Sequence, residues 1–216
     1  MEFESVVRFF QSGGVFMYPI VVVLALGTAI ALERYIVLTL ARSTNRRTWN
    51  DLLPILTKGN YQQAYDITSR SKADVAKILT YGLSRLGTSN HLDDVEAAME
   101  EGLMEITPKL EKRTHYLATF ANIATLLGLL GTIMGLIAAF TAVAAADPTE
   151  KADLLSASIS VAMNTTAFGL IVAIPLLLVY TVLQTKTTEL VDNLEMVSVR
   201  FNNLIRKHRS KTSAKK

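Results

Sequence analysis

The chain has no cysteine and only three histidines in 216 residues. Disulfides and thiolate metal sites are thereby excluded, and the scattered histidines offer no zinc ligand set. No nucleophile and base pair, phosphate loop or metal cluster stands out, so neither an enzyme nor a bound cofactor is expected. The most informative shortage is one of charge. After Glu111 the next carboxylate is Asp147, and after Asp153 there is none until Glu189. Between these positions lie long apolar runs without a single Asp, Glu, His, Lys or Arg. A proton pathway normally uses an acid or a histidine at membrane depth, so this chain cannot relay protons there with its own side chains.

What is abundant is hydrophobic residues, 50% of the chain. Three segments are long enough to cross a bilayer, which takes roughly 20 mostly apolar residues: Val15 to Leu40, Leu117 to Ala146 and Ile159 to Leu183. The leader MEFESVVRFF carries Glu2 and Glu4 against Arg8, the reverse of a secretory n-region, and the first segment is expected to be a retained anchor. Of the 22 lysines and arginines, 20 lie between Arg34 and Arg113 or after Leu183. Basic residues stay on the cytoplasmic side, so the expected orientation is N-out and C-in, with a large internal loop and a short external one. The basic balance reflects topology, not nucleic acid; the tail KHRSKTSAKK is placed to touch anionic lipid.

The expected fold is an all-α membrane protein with three transmembrane helices, two long helices extending into the cytoplasm and a small helical cytoplasmic domain. Its parts are 1–40 (leader and first span), 41–115 (cytoplasmic helical region), 116–183 (second and third spans with a short periplasmic hairpin) and 184–216 (cytoplasmic helix and basic tail). Within 41–115, short helices are predicted at Trp49 to Leu56, Tyr61 to Ser69 and Val75 to Leu86. From His91 the apolar spacing predicts one continuous helix into the second span, with Pro108 as a kink. Leu183, Thr187, Leu190, Leu194, Val197, Phe201 and Leu204 step by fours and threes, a seam that packs either on its own subunit or as an intersubunit coiled coil. Asp147, Pro148 and Glu150 form a helix-start signature between the spans. About eight residues at the end are expected to be disordered.

Small residues recur along the second span at Ala121, Thr125, Gly128, Thr132, Gly135, Ala139, Ala142 and Ala146, with Gly131 completing a Gly131-x-x-x-Gly135 pair. The third span repeats the pattern at Ala162, Thr166, Gly169 and Ala173, beside Ser158 and Thr165. Such stripes serve close helix packing or line a pore. For Thr132 and Thr166, each near mid-span, a pore or a buried polar partner is favoured, although a threonine can also bond its own helix. Pro175 leaves a carbonyl near Ile171 without its usual donor, which suits a helix lining a cavity or packed on protein.

"LLGLLGTIMGL" in the second span, "TTAFGLIVAIPLLLVY" in the third, "ER" after the first and the three-span topology together resemble the ExbB/TolQ/MotA family of ion-driven motor subunits. The ExbB and TolQ branch is the nearer, since flagellar stator subunits have four spans. The resemblance implies a bacterial inner-membrane homopentamer whose second and third helices surround a pore. That pore holds the helices of a dimeric ExbD-like or TolR-like partner carrying the ion-binding aspartate. Thr132 and Thr166 fall at the family's two pore threonines. Force is passed through the partner and a TonB-like protein to outer-membrane receptors, or through a TolA-like protein in envelope maintenance. Many relatives have a glutamate where this chain has Val161. Asn164 and Thr165 add oxygen ligands beside Thr166, which keeps a sodium-driven variant open; a non-conducting scaffold is the alternative of a different class.

Overall fold

The structure, a computed structural model, describes residues 9–10, 13–89 and 91–213. The acidic leader residues Glu2 and Glu4, Arg8 and the last three residues of the tail lie outside the described residues. Six helices follow one another: α1 (Met17–Thr57), α2 (Tyr61–Arg70), α3 (Asp74–Thr88), α4 (Leu92–Glu111), α5 (Thr114–Ala145) and α6 (Lys151–Ser213). No strand occurs among the described residues. Three stretches, in α1, in α4 with α5, and in α6, are long and apolar enough to cross a membrane, and the chain is an all-α membrane protein.

The chain divides into two compact units, Met1–Glu33 with Arg113–Val182, and Arg34–Lys112 with Leu183–Lys216. The first unit holds the apolar parts of α1, α5 and α6. Its outward faces carry Leu26, Leu126, Phe140, Leu170 and Leu178, all exposed. Apolar exposure on this scale suits lipid or a neighbouring subunit and would be a liability in water. Inward, Met17, Ile20 and Val23 of α1, Leu117, Ala121 and Ala124 of α5, and Val172, Ala173 and Leu176 of α6 are buried. Gly27 lets α1 approach α6, since a Cβ there would lie 2.8 Å from Leu176 Cδ2.

In the second unit, α3 and α4 pack through Gly82 and Gly102. A Cβ on Gly82 would lie 2.7 Å from Met99 Cγ and 3.2 Å from the Phe201 ring, and one on Gly102 would lie 2.9 Å from Tyr81. The stripe Leu38, Trp49, Leu52 and Leu56 of α1 is buried. So is the α6 seam, Leu183, Thr187, Leu190, Leu194, Val197 and Phe201. The seam therefore packs within its own chain, and Ile205 closes it while Leu204 is only half-buried. Where α1 ends, Gly59 adopts φ 76 and faces the His208 ring, whose Nε2 lies 2.9 Å from the Thr57 carbonyl oxygen.

Four local expectations are corrected. Trp49 to Leu56 is the end of α1, not a separate helix, because its buried stripe continues without a break past the apolar run. Helix α4 does not run into α5. It passes Pro108 as helix and stops at Glu111, where Lys112 N–H bonds the Pro108 carbonyl at 3.0 Å and Arg113 turns to φ 67. The Leu110 carbonyl is taken by Arg34 Nη2, so an acceptor that a continuing helix would have offered to residue 114 is already satisfied by a charged donor. Asp147 does not cap α6: Glu150 N–H bonds the Asp147 carbonyl at 3.0 Å, closing a turn with Pro148 at its second position, and the helix begins at Lys151. Finally, α6 continues to Ser213, so residues 209–213 of the tail are helical.

Candidate ion pathway

The small stripe of α5 is not buried uniformly. Ala121, Ala124, Gly128, Gly131 and Ala139 are buried and Gly135 is half-buried. Thr125 and Ala142 are exposed, and Thr132 is half-buried. The buried face is a packing seam. A Cβ on Gly128 would lie 3.2 Å from Thr166 Cα and 3.3 Å from Gly169 Cα; one on Gly169 would lie 2.7 Å from the Ala124 carbonyl oxygen. Backbone meets backbone here, and only glycine on both helices permits it. One turn further along, Gly131 accommodates the Thr165 side chain, and then Gly135 accommodates Ala162, whose Cβ would be 2.8 Å from one on the glycine.

The hydroxyls fall into three environments. Thr165 is buried, 2% exposed, and its Oγ1 lies within hydrogen-bond reach of the carbonyl oxygens of Gly13 and of Val161. Gly14, at φ 74, turns the chain so that Gly13 can reach it; Phe9 and Phe10 close the same corner by edge contacts on Phe168. Thr166 is half-buried and donates across the helix pair to the Gly128 carbonyl at 2.8 Å. Thr132 and Thr125 donate within their own helix, to the carbonyls of Leu129 at 2.6 Å and Ala121 at 3.1 Å. They stand one heptad apart on α5, beside the seam residues Ala121, Gly128 and Ala139.

Of the other expected residues, Ala162, Gly169 and Ala173 are buried in the seam, while Asn164, Ser158 and Val161 are half-buried. The seam glycines were legible in the sequence as a group, but not which of them face α6. Gly13, Gly14 and Gly27 were missed, although a Gly-Gly pair at the head of an apolar run is a turn signal. Chemically, a threonine that donates its proton keeps oxygen lone pairs with which to accept from a protonated carboxyl group or to ligate a cation. No cluster that could hold a metal ion occurs among the described residues.

The second and third spans thus carry hydroxyls and no carboxylate. Residues 70–196 match the sequence model of the MotA/TolQ/ExbB proton channel family, and the chain belongs to that family. It is 29% identical over 202 residues to a biopolymer transport protein ExbB homolog of Methanothermobacter thermautotrophicus, covering 93% of this chain and 70% of that one. It is also 29% identical over 174 residues to biopolymer transport protein exbB1 of Vibrio cholerae serotype O1, covering 80% and 76%. With the biopolymer transport protein ExbB of Salmonella typhimurium the identity is 28% over 151 residues, 63% of this chain and 59% of that protein. It is an ExbB-type proton-channel motor subunit of the inner membrane.

Proposed function

We propose that this chain is the channel subunit of a proton-driven motor that, with an ExbD-like partner, energises TonB-dependent transport across the outer membrane. The observation that carries the reading is Thr132. It is half-buried at the edge of the α5 seam, and its hydroxyl donates to the Leu129 carbonyl at 2.6 Å, which leaves its oxygen lone pairs to accept from a partner. In a homopentamer with the N-terminus periplasmic, Thr132 and Thr125 line the central pore, and the partner's aspartate supplies the titrating group that the second and third spans lack. Thr166 supports the wall by tying α6 to Gly128. Residues 41–115 and 184–216 form the cytoplasmic part. The relatives' names, biopolymer transport protein ExbB, support an ExbB-type reading over a TolQ-type one. Proton coupling is preferred over sodium because Thr165 is buried against Gly13 and is not available as an oxygen ligand beside Thr166.

The absence of cysteine allows a direct test. Thr132→Cys is co-expressed with an ExbD-like partner carrying one cysteine next to its membrane aspartate, and disulfide formation is followed. Thr132→Cys forms the heterodimer and Thr165→Cys does not; cross-linking at Thr165 but not at Thr132 overturns the assignment of faces.

A further inference from the structure

Outside the spans, α1, α3 and α6 enclose a cavity of about 360 Å³ whose lining contains Arg42, Arg46 and Arg200 and no carboxylate. A shallower recess of about 540 Å³ shares Arg42 and Arg46 and adds Arg47, with Asp51 its one acid. Arg42 is paired with Glu189 at 3.1 Å, which still leaves most of its five N–H donors. Arg46 and Arg200 are exposed. Arg46 and Arg200 add two further guanidinium groups to a lining without an acid, an excess of positive charge that a bound anion would offset.

A second, independent feature lies in the cavity wall. Asn45 is 6% exposed, and its Oδ1 accepts from Val75 N–H at 3.3 Å, which fixes the orientation of the amide. Its Nδ2 is buried and has no hydrogen-bond partner. A buried amide donor left unpaired costs about 1–3 kcal/mol, a cost that an acceptor brought to it would relieve. Trp49, 8% exposed, forms part of the same wall.

We propose that this cavity binds a phosphate-type anion, with Arg46 and Arg200 as its charged clamp, Arg42 at its edge and Asn45 Nδ2 as the donor at its base. Guanidinium groups match phosphate oxygens in charge and fork geometry. The α6 lining residues from Leu190 to Arg200 follow the apolar run by seven to seventeen residues, roughly 10–25 Å along a helix. This depth suits a soluble phosphate compound, and the same chemistry is offered by an anionic lipid headgroup.

The test is calorimetric and phosphorus NMR titration of inorganic phosphate and pyrophosphate into the purified full chain, with chloride at equal ionic strength as control. It is repeated in nanodiscs of phosphatidylcholine with and without phosphatidylglycerol. Phosphate or pyrophosphate binds saturably, and both Asn45→Asp, which keeps the acceptor for Val75 while removing the donor, and the surface double variant Arg46→Gln/Arg200→Gln weaken it at least tenfold with unchanged circular dichroism. Phosphate affinity that falls in the phosphatidylglycerol discs identifies the lipid headgroup as the source, and equal affinity identifies a soluble compound; both uphold the site. No saturable binding, chloride binding as well as phosphate, or unaltered affinity in the double variant overturns it. So does a change of oligomeric size in the variants without phosphate binding, which makes a neighbouring subunit the occupant.

Discussion

Thr166 donates its hydroxyl to the Gly128 carbonyl at 2.8 Å, at the point where a Cβ on Gly128 would come within 3.2 Å of the Thr166 Cα. The same residue pair thus combines a close backbone approach with an interhelical hydrogen bond in the membrane unit. The seam around it accounts for the buried small residues, while Thr125, which is exposed, and Thr132, which is half-buried, lie at its edge.

Substituting Gly169 with alanine places a Cβ 2.7 Å from the Ala124 carbonyl oxygen, a backbone atom that cannot swing aside. The variant is expected to lose about 1–3 kcal/mol, read as a lower thermal midpoint in detergent. Gly87→Ala is the control: this glycine of α3 has nothing within 4 Å of an added Cβ, and a gain of about 0.4–1 kcal/mol is expected.

Thr165→Val removes the donor that lies buried against the Gly13 carbonyl. A loss of about 1–3 kcal/mol is expected, while Thr165→Ser retains most of the stability. Transport per folded molecule stays close to wild type in both, measured against the amount of folded protein. A sharp loss of transport in a fully stable Thr165→Val would assign the residue to the ion path instead.

These two sites show how far the sequence could be read. The apolar runs, the absence of membrane carboxylates and the period of the α6 seam are local properties, and each was visible along the chain. The orientation of Thr165 depends on Gly13, 152 positions away, and the stop of α4 depends on Arg34, 76 positions from Leu110. Such contacts join elements that the pattern can place but cannot rotate. The stripe is one face, as its spacing by threes and fours implies, but how deeply each member is buried depends on the helix packed against it.

Arg113 holds φ 67 between α4 and α5, and its Nη1 lies 2.7 and 2.8 Å from the two carboxylate oxygens of Glu33. The pair is nearly half exposed and contributes at most about 1 kcal/mol. The left-handed backbone costs a non-glycine residue roughly 1–2 kcal/mol. Arg113→Gly is therefore expected to be more stable than Arg113→Ala by about 1 kcal/mol, and Glu33→Gln to have a smaller effect than Arg113→Ala in the same denaturation assay.

On α4, hydrogen bonding from Lys109, and then from the Tyr81 hydroxyl at 2.8 Å, holds the Glu105 carboxyl below its usual range. A carboxylate whose folded pKa is depressed stabilises the fold above its unfolded value, about 4.3, and that contribution disappears as pH falls through the lower folded value. Lys109→Met is expected to move the Glu105 titration upward in side-chain NMR and to flatten the acid side of the stability profile. The group is exposed, so 1 M salt should shrink the difference.

The central claim, that Thr132 lines the ion path while Thr166 ties the wall of that path, is tested most directly by proton flux. The chain and its ExbD-like partner are reconstituted in liposomes with Thr132→Val, Thr166→Val or Thr166→Ser, and flux under an imposed proton gradient is measured alongside oligomeric state. The expected result is an intact assembly with flux reduced at least tenfold in Thr132→Val, a destabilised assembly in Thr166→Val, and near-normal behaviour in Thr166→Ser. Wild-type flux through a correctly assembled Thr132→Val channel would contradict the account.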